Sequence, residues 1–102
     1  MAKLIALYRK PADPKAFDQY YFSTHVPLAK KIGGLRRYEV NDGPVTALQG
    51  EPPYYLAAIL GFDSLADIQA AMGSPEGQAA AADLANFAQA GVDLLVFDSK
   101  EV

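Results

Sequence analysis

The chain holds a single histidine, His25, set in the run Tyr21-Phe22-Ser23-Thr24-His25-Val26-Pro27-Leu28. Imidazole titrates nearest neutral pH, so proton transfer is the chemistry this residue would perform. Pro27 lacks a backbone donor, which predicts a kink or restart near Thr24 to Val26, beside the imidazole. The alternative is a histidine satisfied by a nearby carbonyl and packed among Tyr21, Phe22 and Leu28. Tyr38 is the second candidate. A phenol donates to an oxyanion or a carbonyl oxygen; the alternative is an ordinary strand aromatic. Tyr20, Tyr21, Tyr54 and Tyr55 supply further phenols and read mostly as core or dimer contacts. Arg37, Glu39 and Asn41 share a strand face opposite Tyr38 and read as solvent or rim ion pairs.

The remaining inventory excludes more than it offers. There is no cysteine, which removes disulfides, thiolate nucleophiles and cysteine-bound metal. A histidine metal triad needs more than one histidine per chain, and no Asp or Glu spacing suggests a ligand set, so no metal site is expected. No Gly-rich phosphate loop occurs. Ser64 and Ser74 read as helix caps, since neither has a local base. The net charge is −3, from 12 acidic and 9 basic residues, which argues against nucleic-acid binding. No apolar run reaches the roughly 18 residues of a membrane span. The segment Met1 to Arg9 is too short and too early interrupted for a signal peptide, so the expected location is cytoplasmic. The 102 residues suit one domain, 1–102, with one core and no roomy internal cavity. A ligand site is therefore expected to need a second subunit.

These candidates need elements to position them. Lys3 to Arg9 reads as a strand, ended by Pro11-Ala12-Asp13-Pro14. Asp13 caps a helix with Pro14 at its first position, and Phe17, Tyr21 and Leu28 form its core stripe. Gly33-Gly34 ends that element. Leu35 to Asn41 is a second strand, followed by a loop from Asp42 to Pro53. Pro53 to Phe62 is a third strand. Ser64 caps a second helix, with Asp67 at the reciprocal capping position. Ser74-Pro75-Glu76 restarts it, Ala79 to Ala82 sustain it, and Gly91 closes it before the strand Val92 to Asp98. The order βαββαβ is the ferredoxin-like split arrangement: an α+β fold with a four-stranded antiparallel sheet and both helices on one face.

The strands carry a second message. A sheet with one wet face alternates apolar and polar residues, and these strands do not. Leu4, Ala6 and Tyr8 back onto Ile5 and Leu7. Tyr54, Leu56, Ala58 and Leu60 oppose Tyr55, Ala57 and Ile59. Val92, Leu94 and Val96 oppose Leu95 and Phe97. A monomer rarely leaves such a face bare. A second copy is the economical cover, giving a homodimeric α/β barrel whose interior is a candidate ligand chamber.

The chain resembles the EthD family of dimeric α/β-barrel proteins over nearly its whole length. The residues that carry this are Leu4 to Arg9, Phe17 to Phe22 leading into His25-Val26-Pro27-Leu28, Gly34-Leu35-Arg36-Arg37-Tyr38-Glu39-Val40, Pro53-Tyr54-Tyr55, Phe62-Asp63-Ser64, Ser74 to Gly77 and Asp83 to Phe87. The resemblance implies the ferredoxin-like homodimer. The family's namesake accompanies a cytochrome P-450 system for ether degradation. The wider superfamily includes lactone isomerases, polyketide cyclases, cofactor-free monooxygenases and haem proteins. Methylmuconolactone methylisomerases are similar at a histidine ending the first helix and a tyrosine in the second strand, positions matched by His25 and Tyr38. No cysteine matches other polar groups of such sites, and no histidine on the second helix matches a haem ligand. The resemblance and the residue inventory together point to a cofactor-independent isomerase, cyclase or lyase acting on a small cyclic carbonyl or phenolic metabolite, with His25 and Tyr38 catalytic. The alternatives are a non-catalytic accessory or binding protein of an oxidase system, and a cofactor-free monooxygenase.

Overall fold

Alternation along the first strand sets the layering. In β1 (Ala2–Arg9), Ala2, Leu4, Ala6 and Tyr8 are buried, while Lys3, Ile5 and Leu7 are partly open. The computed structural model describes residues 1–102. The other strands are β2 (Arg37–Val40), β3 (Tyr54–Phe62) and β4 (Val92–Asp98). They form one sheet in the order β2-β3-β1-β4, and every neighbouring pair is antiparallel. The helices are α1 (Pro14–Tyr20), a π-helical turn (Tyr21–His25), α2 (Val26–Ala29), α3 (Leu65–Gly73) and α4 (Pro75–Phe87). They cover the face carrying Leu4, Ala6 and Tyr8 from β1 and Leu56, Ala58, Leu60 and Phe62 from β3, and the main core lies between the two layers. This is the ferredoxin-like βαββαβ fold. No helix is long and apolar enough to cross a membrane.

The caps are chemical, as their sequences predict. Asp13 accepts from the Ala16 N–H at 3.1 Å. Ser64 accepts from the Asp67 N–H and Ser74 from the Gly77 N–H, each at 3.1 Å. Each bond satisfies a donor that has no partner within its helix. Only the Ser64 half of the expected reciprocal box forms. The corner between α3 and α4 also explains Gly77. A Cβ there would fall 1.9 Å from the Ala71 carbonyl oxygen, so the two helices meet this closely only over a glycine.

One detail sharpens the expectation and three differ from it. The disturbance expected near Thr24 to Val26 is present, as a π-helical turn after which the α-helix restarts at Val26. The backbone stays helical through Tyr21, His25 and Val26, and the Val26 N–H bonds the Tyr21 carbonyl, five residues back. The wider turn accommodates the missing donor of Pro27. It also alters the core stripe, which runs Phe17, Tyr21, His25, Ala29, with Leu28 only half-buried. At about 100° per residue, each step of four overshoots a helical turn by about 40°. The π turn takes back part of that drift and keeps His25 facing the core. Second, α2 ends at Ala29, and Gly33-Gly34 lies in the turn beyond, where Gly34 adopts φ +85°. Third, β2 spans only Arg37–Val40. Fourth, a β-bulge redirects the paired tyrosines: Tyr8 faces Leu56 and Arg9 faces Tyr54, leaving Tyr55 as the extra residue. Tyr55 consequently packs on Phe17 and bonds Asp18 on the helix side. Tyr54 turns to the open side and bonds Asp93 at 2.9 Å.

The open face carries Ile5, Leu7, Ala57, Ile59, Leu95 and Phe97, by the register of β1 with its two neighbours. The edge strand β4 is the least covered, with Leu94, Leu95, Val96 and Phe97 each about half exposed.

Candidate active site

The π turn delivers His25 to the helix-covered face of the sheet, where only 6% of its surface is exposed. A buried imidazole needs a partner, and α4 supplies one. His25 Nδ1 lies 3.0 Å from Asp83 Oδ2, and Asp83 is equally buried, at 6%. The Tyr20 hydroxyl donates to Asp83 Oδ1 at 2.6 Å, and the Asn86 amide donates to the same atom at 2.9 Å. The Phe87 ring packs on the imidazole at a centroid distance of 4.7 Å, and Tyr21 packs on it at 5.4 Å.

Burial pushes the His25 pKa below its usual value, outweighing the Asp83 carboxylate that pulls the other way. Burial alone would raise the Asp83 pKa. The bonds from Tyr20, Asn86 and His25 together outweigh it and hold the carboxyl below its usual range. At neutral pH the pair is therefore an ionised carboxylate beside a neutral imidazole. The imidazole donates through Nδ1–H, which leaves the lone pair on Nε2.

Tyr38 points to the same side. It pairs with Leu60 in the β2–β3 ladder, and its hydroxyl lies 2.7 Å from that of Tyr21. Burial raises the pKa of both phenols, so both stay protonated. The two phenols have two protons between them. One makes the mutual bond, and one remains to donate elsewhere.

His25, Tyr21, Tyr38 and Tyr8 line a cavity of about 70 Å³ between sheet and helices. The remaining wall is mostly aliphatic and includes the half-exposed Leu94 on the edge strand. The volume lies below the roughly 150 Å³ of an engineered apolar cavity that accepts benzene, and the cavity opens beside the half-exposed Leu94, so a small ring can enter from that side. This location corrects two expectations. The chamber holding His25 and Tyr38 lies within one chain, not inside a barrel formed by two open faces. His25 is also satisfied by a carboxylate from another helix, not by a nearby carbonyl, and it packs on Phe87 as well as on the expected Tyr21. The sequence supplied a signal for Asp83. It falls in phase with the buried Ala80 and Phe87, three residues before and four after, where a helix stripe should be apolar.

The EthD domain profile matches residues 9–91. An uncharacterised 11.0 kDa protein of the thcB–thcC intergenic region of Rhodococcus erythropolis is 46% identical, over 100% of this chain and 98% of its own length. The crystal structure of an EthD family protein from Bacillus halodurans superposes with a TM-score of 0.89 at 39% identity, covering 98% of this chain and 99% of that one. A dimeric ferredoxin-like protein of unknown function from Thermobifida fusca superposes with a TM-score of 0.68 at 21% identity, covering 94% of this chain and 88% of that one, which speaks to the fold alone.

Proposed function

Since the chain belongs to the EthD domain family, we propose that it is a cofactor-independent enzyme that moves a proton at a carbon beside a carbonyl in a compact cyclic compound. Isomerisation, cyclisation and elimination are each compatible with this step. The observation that carries the reading is a buried, neutral imidazole whose Nδ1–H is held by Asp83 while Nε2 stays free at the wall of an apolar cavity.

In this reading His25 Nε2 takes the proton. The C–H bond breaks, its electron pair moves into the carbonyl, and an enolate forms. Tyr38 donates to the developing oxyanion. Asp83 offsets the charge of the imidazolium, in the manner of the carboxylate of a Ser-His-Asp triad. The imidazolium then returns the proton at the same carbon or at another. Exclusion of water strengthens both charge interactions. The enzyme works as a homodimer of single-domain chains, with a second copy covering Ile5, Leu7, Ala57, Ile59, Leu95 and Phe97. The extent of that bare face supports the assembly. The second reading is a non-catalytic carrier serving a partner oxidase, favoured by the largely hydrocarbon wall.

Deuterium exchange at carbons beside the carbonyl of small cyclic ketones and lactones, followed by NMR in D2O, tests the assignment. The protein should accelerate exchange, and His25→Ala should lower the rate by about 100-fold or more while remaining dimeric in sedimentation. Exchange retained in His25→Ala refutes the role of His25. Ligand binding without exchange in either protein selects the carrier.

A further inference from the structure

Two polar atoms at the cavity wall have no partner in the protein, and they are of opposite kind. One is His25 Nε2, an acceptor. The other is the hydroxyl of Tyr8. This tyrosine sits in β1, a central strand flanked by β3 and the edge strand β4, opposite Leu56 on one side and Val92 on the other. It is 2% exposed. Its ring is wedged among Phe17, Tyr21 and Phe87 at centroid distances of 5.6, 5.5 and 5.6 Å. That packing uses the ring alone, and a phenylalanine would satisfy it. No fully enclosed side-chain nitrogen or oxygen in the chain lacks a hydrogen-bond partner. An unbonded Tyr8 hydroxyl must therefore open onto space, and the space that Tyr8 lines is the cavity. Burial, with Tyr38 and Asp83 nearby, raises its pKa, so it stays a donor. The Tyr21–Tyr38 pair has already committed one proton to itself, whereas the Tyr8 O–H is committed to nothing.

We propose that Tyr8 is a ligand-binding residue whose O–H holds the carbonyl oxygen of a small uncharged compound, while His25 Nε2 accepts from an acidic C–H or O–H beside that carbonyl. The inference rests on the cavity being the active site. It narrows the ligand class in two ways. A pure hydrocarbon would strand a buried donor and a buried acceptor. A carboxylate would meet no Lys or Arg on the wall and would face the Asp83 charge behind the imidazole, at a high cost in desolvation.

Cyclopentanone is the probe, with methylenecyclopentane and cyclopentanecarboxylate as its apolar and anionic counterparts. The wild-type protein should bind the ketone about tenfold more tightly than the alkene and should not bind the carboxylate. The infrared carbonyl stretch of bound ketone should fall below its value in hydrocarbon solvent. Tyr8→Phe should weaken ketone binding by about tenfold, relax the stretch and leave alkene binding unchanged, the last measurement also reporting an intact cavity. Equal affinity for ketone and alkene, an unchanged stretch in Tyr8→Phe, or failure of the wild-type protein to bind cyclopentanone overturns the proposal. The role of His25 is judged separately. A shifted stretch with no loss of deuterium exchange in His25→Ala refutes proton transfer and leaves Tyr8 in place. Lost exchange with an unshifted stretch does the reverse.

Discussion

Asp83 and Asp93 are built from similar parts and behave differently. Each accepts from a tyrosine hydroxyl, Tyr20 for Asp83 and Tyr54 for Asp93, and each lies 3.0 Å from a basic nitrogen, of His25 and Arg9 respectively. Asp83 sits in the covered layer at 6% exposure; the Asp93 side chain sits on the open face at 40%. Around Asp93, water competes for every bond, and the Arg9 guanidinium also rests over the Tyr54 ring at 5.4 Å. Around Asp83 no water competes, so the carboxylate fixes which imidazole nitrogen carries the proton. Burial, more than the identity of the partners, separates a surface ion pair from a device that orients a base.

The largest expected effect is on stability. Asp83→Ala strands the donors of His25 and Asn86 in or beside the core and should cost about 3 kcal/mol in urea unfolding. Asp93→Ala should cost about 0.5 kcal/mol. Similar losses in the two variants would erase the distinction. A smaller effect is the acid limb. The native pKa of His25 lies below the 6.5 of a free imidazole, so the unfolded chain binds the proton first. Stability should fall as pH drops below about 6.5 and level off once the native imidazole is also protonated. Asp83 adds a second loss below its ordinary value of 3.8, as pH falls through its lowered native pKa. Chemical denaturation at a series of pH values should show the upper step vanish in His25→Gln. The smallest effect is that of salt. Raising NaCl to about 1 M should abolish the cost of Asp93→Ala and leave that of Asp83→Ala unchanged, since screening acts on exposed pairs.

Much of this arrangement was legible in the residues. Turn chemistry located all four strands, and β4 agrees with Val92 to Asp98 at both ends. Ser64 and Ser74 announced their helices. His25 and Tyr38 do line one cavity. The missed features are those that depend on distant chain or on small geometric offsets. Asp83 lies 58 residues from His25, and its only local trace is an acid in an apolar stripe. Tyr54 and Tyr55 exchanged faces because alternation assumes an unbroken register, and one bulged residue inverts it. The π turn was legible only as a disturbance beside Pro27, because a proline predicts a disturbed ladder without saying whether the helix kinks or widens. Tyr8 stood out only as part of an apolar strand face, because alternation shows which face a side chain takes but not whether its hydroxyl finds a partner.

The edge strand has a consequence for handling the protein. Leu94-Leu95-Val96-Phe97 is an apolar, strand-forming run with no proline and no charge, half exposed on a strand with one unpaired edge. Such a run is a template for amyloid-like stacking. Asp93 and Asp98 bracket it, with Lys100 just beyond, as charged gatekeepers against that outcome. Neutralising them by mutagenesis, or purifying at a pH where the carboxylates are protonated, removes that protection.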